Sequence, residues 1–82
     1  MRLIDLLNQL DQAGTLGQLY QAGVVGLAAY TQREIYNYYH ALLNSPSYAD
    51  RPHKAALATA EGCQVGRSTV YRALHVMEQQ VG

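Results

Sequence analysis

Between positions 67 and 75 the chain reads RSTVYRALH, and six of those side chains carry hydrogen-bonding or charged ends: Arg67, Ser68, Thr69, Tyr71, Arg72 and His75. A guanidinium offers a planar fork of N–H donors that matches a phosphate or the edge of a guanine. The hydroxyls of Ser68 and Thr69 donate and accept at short reach, and Tyr71 adds a flat ring with a hydroxyl at its tip. Threaded through them are Val70, Leu74 and Met77 at i, i+4 and i+7, the spacing of one buried helix face. The chemistry such a surface can do is recognition of an anion or a base edge, not bond making.

The rest of the chain offers little competing chemistry. His40, His53 and His75 are isolated, and Cys63 stands alone, so neither a metal set nor an internal disulfide is expected. Asp5, Asp11, Glu34 and Asp50 show no spacing suited to paired acid–base work, and there is no glycine-rich phosphate loop. No enzyme activity, metal or cofactor is expected. Cys63 reads as a small apolar filler rather than a redox switch. The longest apolar run, VVGLAAY, is too short to span a bilayer, and MRLIDLLNQL mixes charge into its apolar pattern as a signal-peptide core would not. A single cysteine suits a reducing compartment, so a cytoplasmic location is expected.

At 82 residues and 49% hydrophobic, the chain is one globular domain at most. Its net charge of zero hides an asymmetry. Residues 1–50 hold Arg2 and Arg33 against Asp5, Asp11, Glu34 and Asp50, a balance of −2. Residues 51–82 hold Arg51, Lys54, Arg67 and Arg72 against Glu61 and Glu78, a balance of +2.

The elements that must position these groups are all helical. Strict alternation is absent, whereas helical spacing recurs, so the expected fold is an all-α bundle of four to six helices. Leu3, Leu6, Leu7 and Leu10 stripe a first helix over 2–12, which Gly14 breaks. Thr15 can cap a short second helix with Leu16, Leu19 and Tyr20, and Gly23 is placed to end it in a left-handed conformation. Residues 24–44 read as one helix or two: Gly26 and the capping-box spacing of Thr31 with Glu34 favour a break. Its inner face should carry Ile35, Tyr39, Leu42 and Leu43, with the neighbouring tyrosines as amphipathic packing. The loop NSPSYADRP follows; Asp50 is expected to cap the next helix, with Pro52 in its first turn. That helix should bury Ala56, Leu57 and Ala60 and stop at Gly62; a last one should run from near Gly66 to about Gln80. The organisation expected is a helical subdomain at 1–44, a loop at 45–52 and a helical pair at 53–82.

That pair has the requirements of a helix-turn-helix: small Ala60 where the helices cross, Val65 as an apolar plug in the turn, and Val70 and Leu74 buried in return. VGRSTVYRAL resembles the recognition helix of small bacterial and phage helix-turn-helix DNA-binding proteins, where a V-S-x-x-T-V-x-R-x-L pattern recurs. It is similar to the DNA-binding ends of resolvases and invertases, and to a TVYRAL segment of ferric uptake regulators. The likeness covers about residues 55–75. It implies that Arg67, Ser68, Thr69, Tyr71 and Arg72 are DNA contacts, with Ala60, Val65, Val70 and Leu74 as core. Lys54 and His75 join the expected contact set because the charge and the outward face place them there. Two departures stand out: Gln64 occupies the position where the pattern has a glycine, so it must turn left-handed or the turn must be longer, and Gly66 replaces the usual serine cap.

The resulting expectation is duplex DNA binding by a small transcriptional regulator. About three phosphate contacts per chain give weak binding, so a homodimer is expected, with the leucine- and tyrosine-rich, charge-poor helices of 1–44 as its surface. Two alternatives share the same residues: a protein-interaction module that uses the helical pair as a dock, and a phage packaging or recombination accessory.

Overall fold

The computed structural model describes residues 1–81. They form five helices: α1 (Leu3–Gln12), α2 (Leu16–Gln21), α3 (Leu27–Leu43), α4 (Pro52–Cys63) and α5 (Arg67–Met77). No strand occurs among the described residues; a single isolated antiparallel bridge joins Arg2 to Gln80. No helix among them is long and apolar enough to cross a membrane.

α1 ends where the glycine predicts, with Gly14 at φ +75, and Gly23 likewise takes φ +78 after α2. Both are conformations in which a Cβ is strained, which is why the chain can reverse there. The first helix buries Ile4 and Leu7, while Leu3, Leu6 and Leu10 are only half-buried; the leucine stripe had pointed past Ile4.

The region 24–44 is a single helix, and the break favoured at Thr31 is absent. Gly26 holds the extended backbone that opens α3 (φ −74, ψ 159), so Leu27 to Tyr30 are already helical and Thr31 lies inside. A capping box needs its first residue outside the helix; the upstream glycine removes that option. Along α3 the successive residues Ile35 and Tyr36 are both buried, and they enter different parts of the core. Neighbours on a helix are about 100° apart, so one helix can serve two clusters. Tyr36 packs with Ile4, Leu7, Leu16 and Met77. Ile35 packs with Ala56, Ala60, Val70 and Ala73, and Leu74 touches both groups. Tyr39, Leu42 and Leu43, expected on the inner face, are half-buried.

α4 departs from expectation at three points. Arg51, not Asp50, occupies its N-cap position, with Pro52 as the first helical residue. Its buried face is Ala55, Ala56, Thr59 and Ala60, whereas Leu57 points outward. The buried Thr59 hydroxyl is satisfied by donating to the carbonyl of Ala55 at 2.8 Å. Gly62 does not stop the helix, which continues to Cys63; the glycine instead makes room for Tyr38 of α3, whose hydroxyl a Cβ at 62 would strike.

α5 ends at Met77, short of Gln80, because the chain beyond it pairs with the start of α1. Leu3 donates its N–H to the carbonyl of Gln79 at 2.8 Å, and Val81 donates to that of Met1 at 2.9 Å. A part-buried polar chain reinforces this end: Arg2 Nη1 donates to Tyr36 Oη (3.3 Å), which donates to Glu78 Oε1 (3.4 Å). Burial pushes the Tyr36 phenol above its usual range, so it stays protonated and able to donate.

Candidate nucleic-acid interface

α4 and α5 are joined by three residues, Gln64, Val65 and Gly66. Gln64 is left-handed at φ 58, ψ 45, and it is the only non-glycine with positive φ among the described residues. This is the first of the two turn geometries that its position allowed. The left-handed residue lets the N–H of Val65 fold back onto the carbonyl of Ala60 at 2.9 Å, closing α4 and aiming the chain across it. Val65 is half-buried against the cluster of Ala56, Ala60, Val70 and Ala73. Ala60, Val65, Val70 and Leu74, read from sequence as a packed set, therefore meet around one point, and Val70 is 0% exposed there. Small Ala60 and Ala73 allow the two helices to approach closely.

With Val70, Ala73 and Met77 facing inward, the helical period turns Ser68, Tyr71, Arg72 and His75 outward, and all four are exposed. Arg67 is exposed at the helix start. Thr69 lies half-buried at the flank, nearer the core than the others. Lys54 is exposed in the first turn of α4. Gly66 opens α5 in an extended conformation with no side-chain cap, so the free N–H groups of the first turn and the positive end of the helix dipole are left uncovered.

Sequence reasoning left two residues out of this set. Arg51 is exposed at the start of α4, and His53, also exposed, brings its Nδ1 to 3.2 Å from Tyr71 Oη. The spacing of Arg51 and Lys54 was a readable signal; the contact between positions 53 and 71 was not. None of Arg51, Lys54, Arg67 and Arg72 forms an ion pair with another described residue; the pairs that do occur involve Arg2 and Arg33. No three metal-binding side chains cluster among the described residues, and no pocket indents their surface. Cys63, half-buried beside the turn, has its thiol pushed up by burial and secondarily by Glu34, which leaves little thiolate for reaction near neutrality.

No protein family model matches this chain, and neither curated proteins nor solved structures yield a match.

Proposed function

We propose that α4 and α5 form a helix-turn-helix that binds duplex DNA, with α5 in the major groove. The observation that carries this reading is the set of four exposed cations on these two helices and the N-cap of the first, Arg51, Lys54, Arg67 and Arg72, without an acidic partner among the described residues. Cations held free of internal pairs are available to phosphate, and their counterions are released on binding. Arg67 and Arg72 hold phosphate or guanine, Ser68 and Tyr71 set the register on the outer face, and Thr69 touches the groove wall at the flank. His75 and Lys54 widen the phosphate footprint. In this reading the protein acts by occupancy, as a small regulator of transcription or as an accessory in packaging or recombination.

A footprint of so few cations favours two copies. From Gln12 to Gln32 the sequence has no Asp, Glu, Lys, Arg or His. Within that stretch Val24 is 71% exposed and Leu27 is 64% exposed, beside the paired rings of Tyr20 and Tyr30. A two-fold interface sets a surface against itself, so an apolar surface without charge meets its copy without repulsion. Light scattering at high micromolar concentration should give twice the chain mass, and Leu27→Asp should return it to one; a strict monomer would refute the homodimer.

The DNA reading is tested by fluorescence anisotropy against mixed duplex at about 50 and 200 mM salt. Affinity should fall by about 40-fold or more between the two for a footprint of three or more phosphates. Absence of binding at the lower salt would overturn it. The rival reading, a dock for another protein, is favoured by the outward-facing Leu57 and Tyr38 near the same helices, and it predicts partner binding insensitive to salt.

A further inference from the structure

We infer that His53 is a positioning residue for Tyr71, and that the start of α4 and the outer face of α5 meet the phosphate backbone as one surface. The inference rests on the DNA-binding reading and names the part of the site that would fix its register. His53 Nδ1 and Tyr71 Oη, separated by 18 residues in sequence, are 3.2 Å apart. Among the described residues this is the one hydrogen bond between side chains of α4 and α5. Beside it the two helices share an apolar cluster, Ala56 and Ala60 with Val70 and Ala73. Such packing sets the angle of α5, while the phenol of Tyr71, which is 46% exposed, makes its one side-chain hydrogen bond among the described residues with His53.

A free tyrosine side chain loses rotamer freedom when it docks, an entropic cost that weakens binding. A hydrogen bond made before DNA arrives removes part of that cost. With the ring proton on Nδ1, His53 donates to Tyr71 Oη, and the phenol keeps its own proton for a phosphate oxygen. Lys54 and Arg72, both exposed, adjoin the two members in sequence, one cation on each helix. His53 thus acts through Tyr71, and its removal subtracts order rather than charge.

The experiment is a double-mutant cycle on duplex affinity, measured by anisotropy across a salt series with the full chain. His53→Ala should weaken binding about fivefold, the weight of one net hydrogen bond, and leave the salt slope unchanged. His53→Asn, whose amide nitrogen can take the place of Nδ1, should restore most of that loss. In a Tyr71→Phe background, His53→Ala should have no further effect. An equal loss in that background, or a salt slope smaller by about one phosphate, would make His53 an independent phosphate contact and overturn the inference while the DNA reading stands. Nitrogen shifts of the His53 ring in the free protein provide a check that needs no DNA: a single Nδ1–H tautomer is expected, lost in Tyr71→Phe. A parent chain that shows this tautomer yet binds no duplex would overturn the DNA reading itself and the positioning role with it.

Discussion

Arg33 and Arg72 are the same side chain in two different situations. Arg33, on α3, is 12% exposed; it donates to Asn8 Oδ1 at 3.1 Å and to Asp11 Oδ2 at 2.9 Å, tying α3 to α1. Arg2 is likewise engaged, by Asp5 at 3.1 Å. Arg72, with Arg51, Lys54 and Arg67, faces outward and pairs with no described residue. The −2 region therefore pairs its cations within the fold, and the +2 region leaves its cations exposed and without an ion pair among the described residues. A chain of zero net charge can still present a basic surface when its acids are placed next to one set of its bases.

Four experiments would break or sharpen that contrast. The largest effect tests whether the two regions are separable at all. Val70 is wholly buried, and Leu74 packs into both clusters. Val70→Asp, which places an unpaired charge in an apolar site, should cost more than about 3 kcal/mol and unfold both regions in one transition. Circular dichroism and tyrosine fluorescence should lose their signals together; two separate transitions would mean that α1–α3 stands alone.

The contrast itself predicts a crossed result. Arg33→Ala should lower stability by about 1–2 kcal/mol and leave duplex affinity alone. Arg72→Ala should shift stability by less than about 0.5 kcal/mol and reduce the salt slope of binding by about 0.9. Chemical denaturation and anisotropy on the same two variants read both columns; matching losses in both would erase the distinction.

A smaller gain is expected at the turn. Gln64 holds a left-handed conformation that costs a side-chain residue roughly 1 kcal/mol, so Gln64→Gly should raise the unfolding free energy by about that amount. No gain would mean that the glutamine makes up the strain in some other way.

The smallest effect belongs to the engaged region. The hydrogen bond from Arg2 holds the Asp5 carboxyl below the ordinary carboxylate range. A depressed folded-state value means that the pair's contribution is complete above about pH 4 and is lost as pH falls through Asp5's own lower value. A carbon-detected NMR titration should find that midpoint, and Arg2→Gln should return it upward; an unmoved midpoint would assign the shift elsewhere.

Much of the helical layout was legible because its causes are local. Gly14, Gly23 and Pro52 act through the backbone of their own residues, and the departure at Gln64 marked a left-handed turn as one of two options before any contact was known. The outward set on α5 followed from the period of Val70 and Met77 alone, and only Thr69, at the flank, lies closer to the core than its companions. Other features hid because their causes are distant. Thr31 with Glu34 has the spacing of a capping box, but Gly26 had already started the helix. Gly62 looks like a stop signal, yet it is a clearance for Tyr38.

The sequence by itself determined the helical class, most of the breaks and the face of α5 that turns outward. Those depend on propensity, capping and a period of 3.6 residues, which act within a few positions. Only the tertiary structure decided that Tyr36 rather than Tyr39 enters the core, that α5 yields its last turn to pairing with the start of α1, and that His53 meets Tyr71. Each of these depends on how two helices cross, and a crossing angle is set by the packed surfaces of both partners together. The same holds for the charge: sequence counts six bases and six acids, and only packing shows which bases are left facing outward.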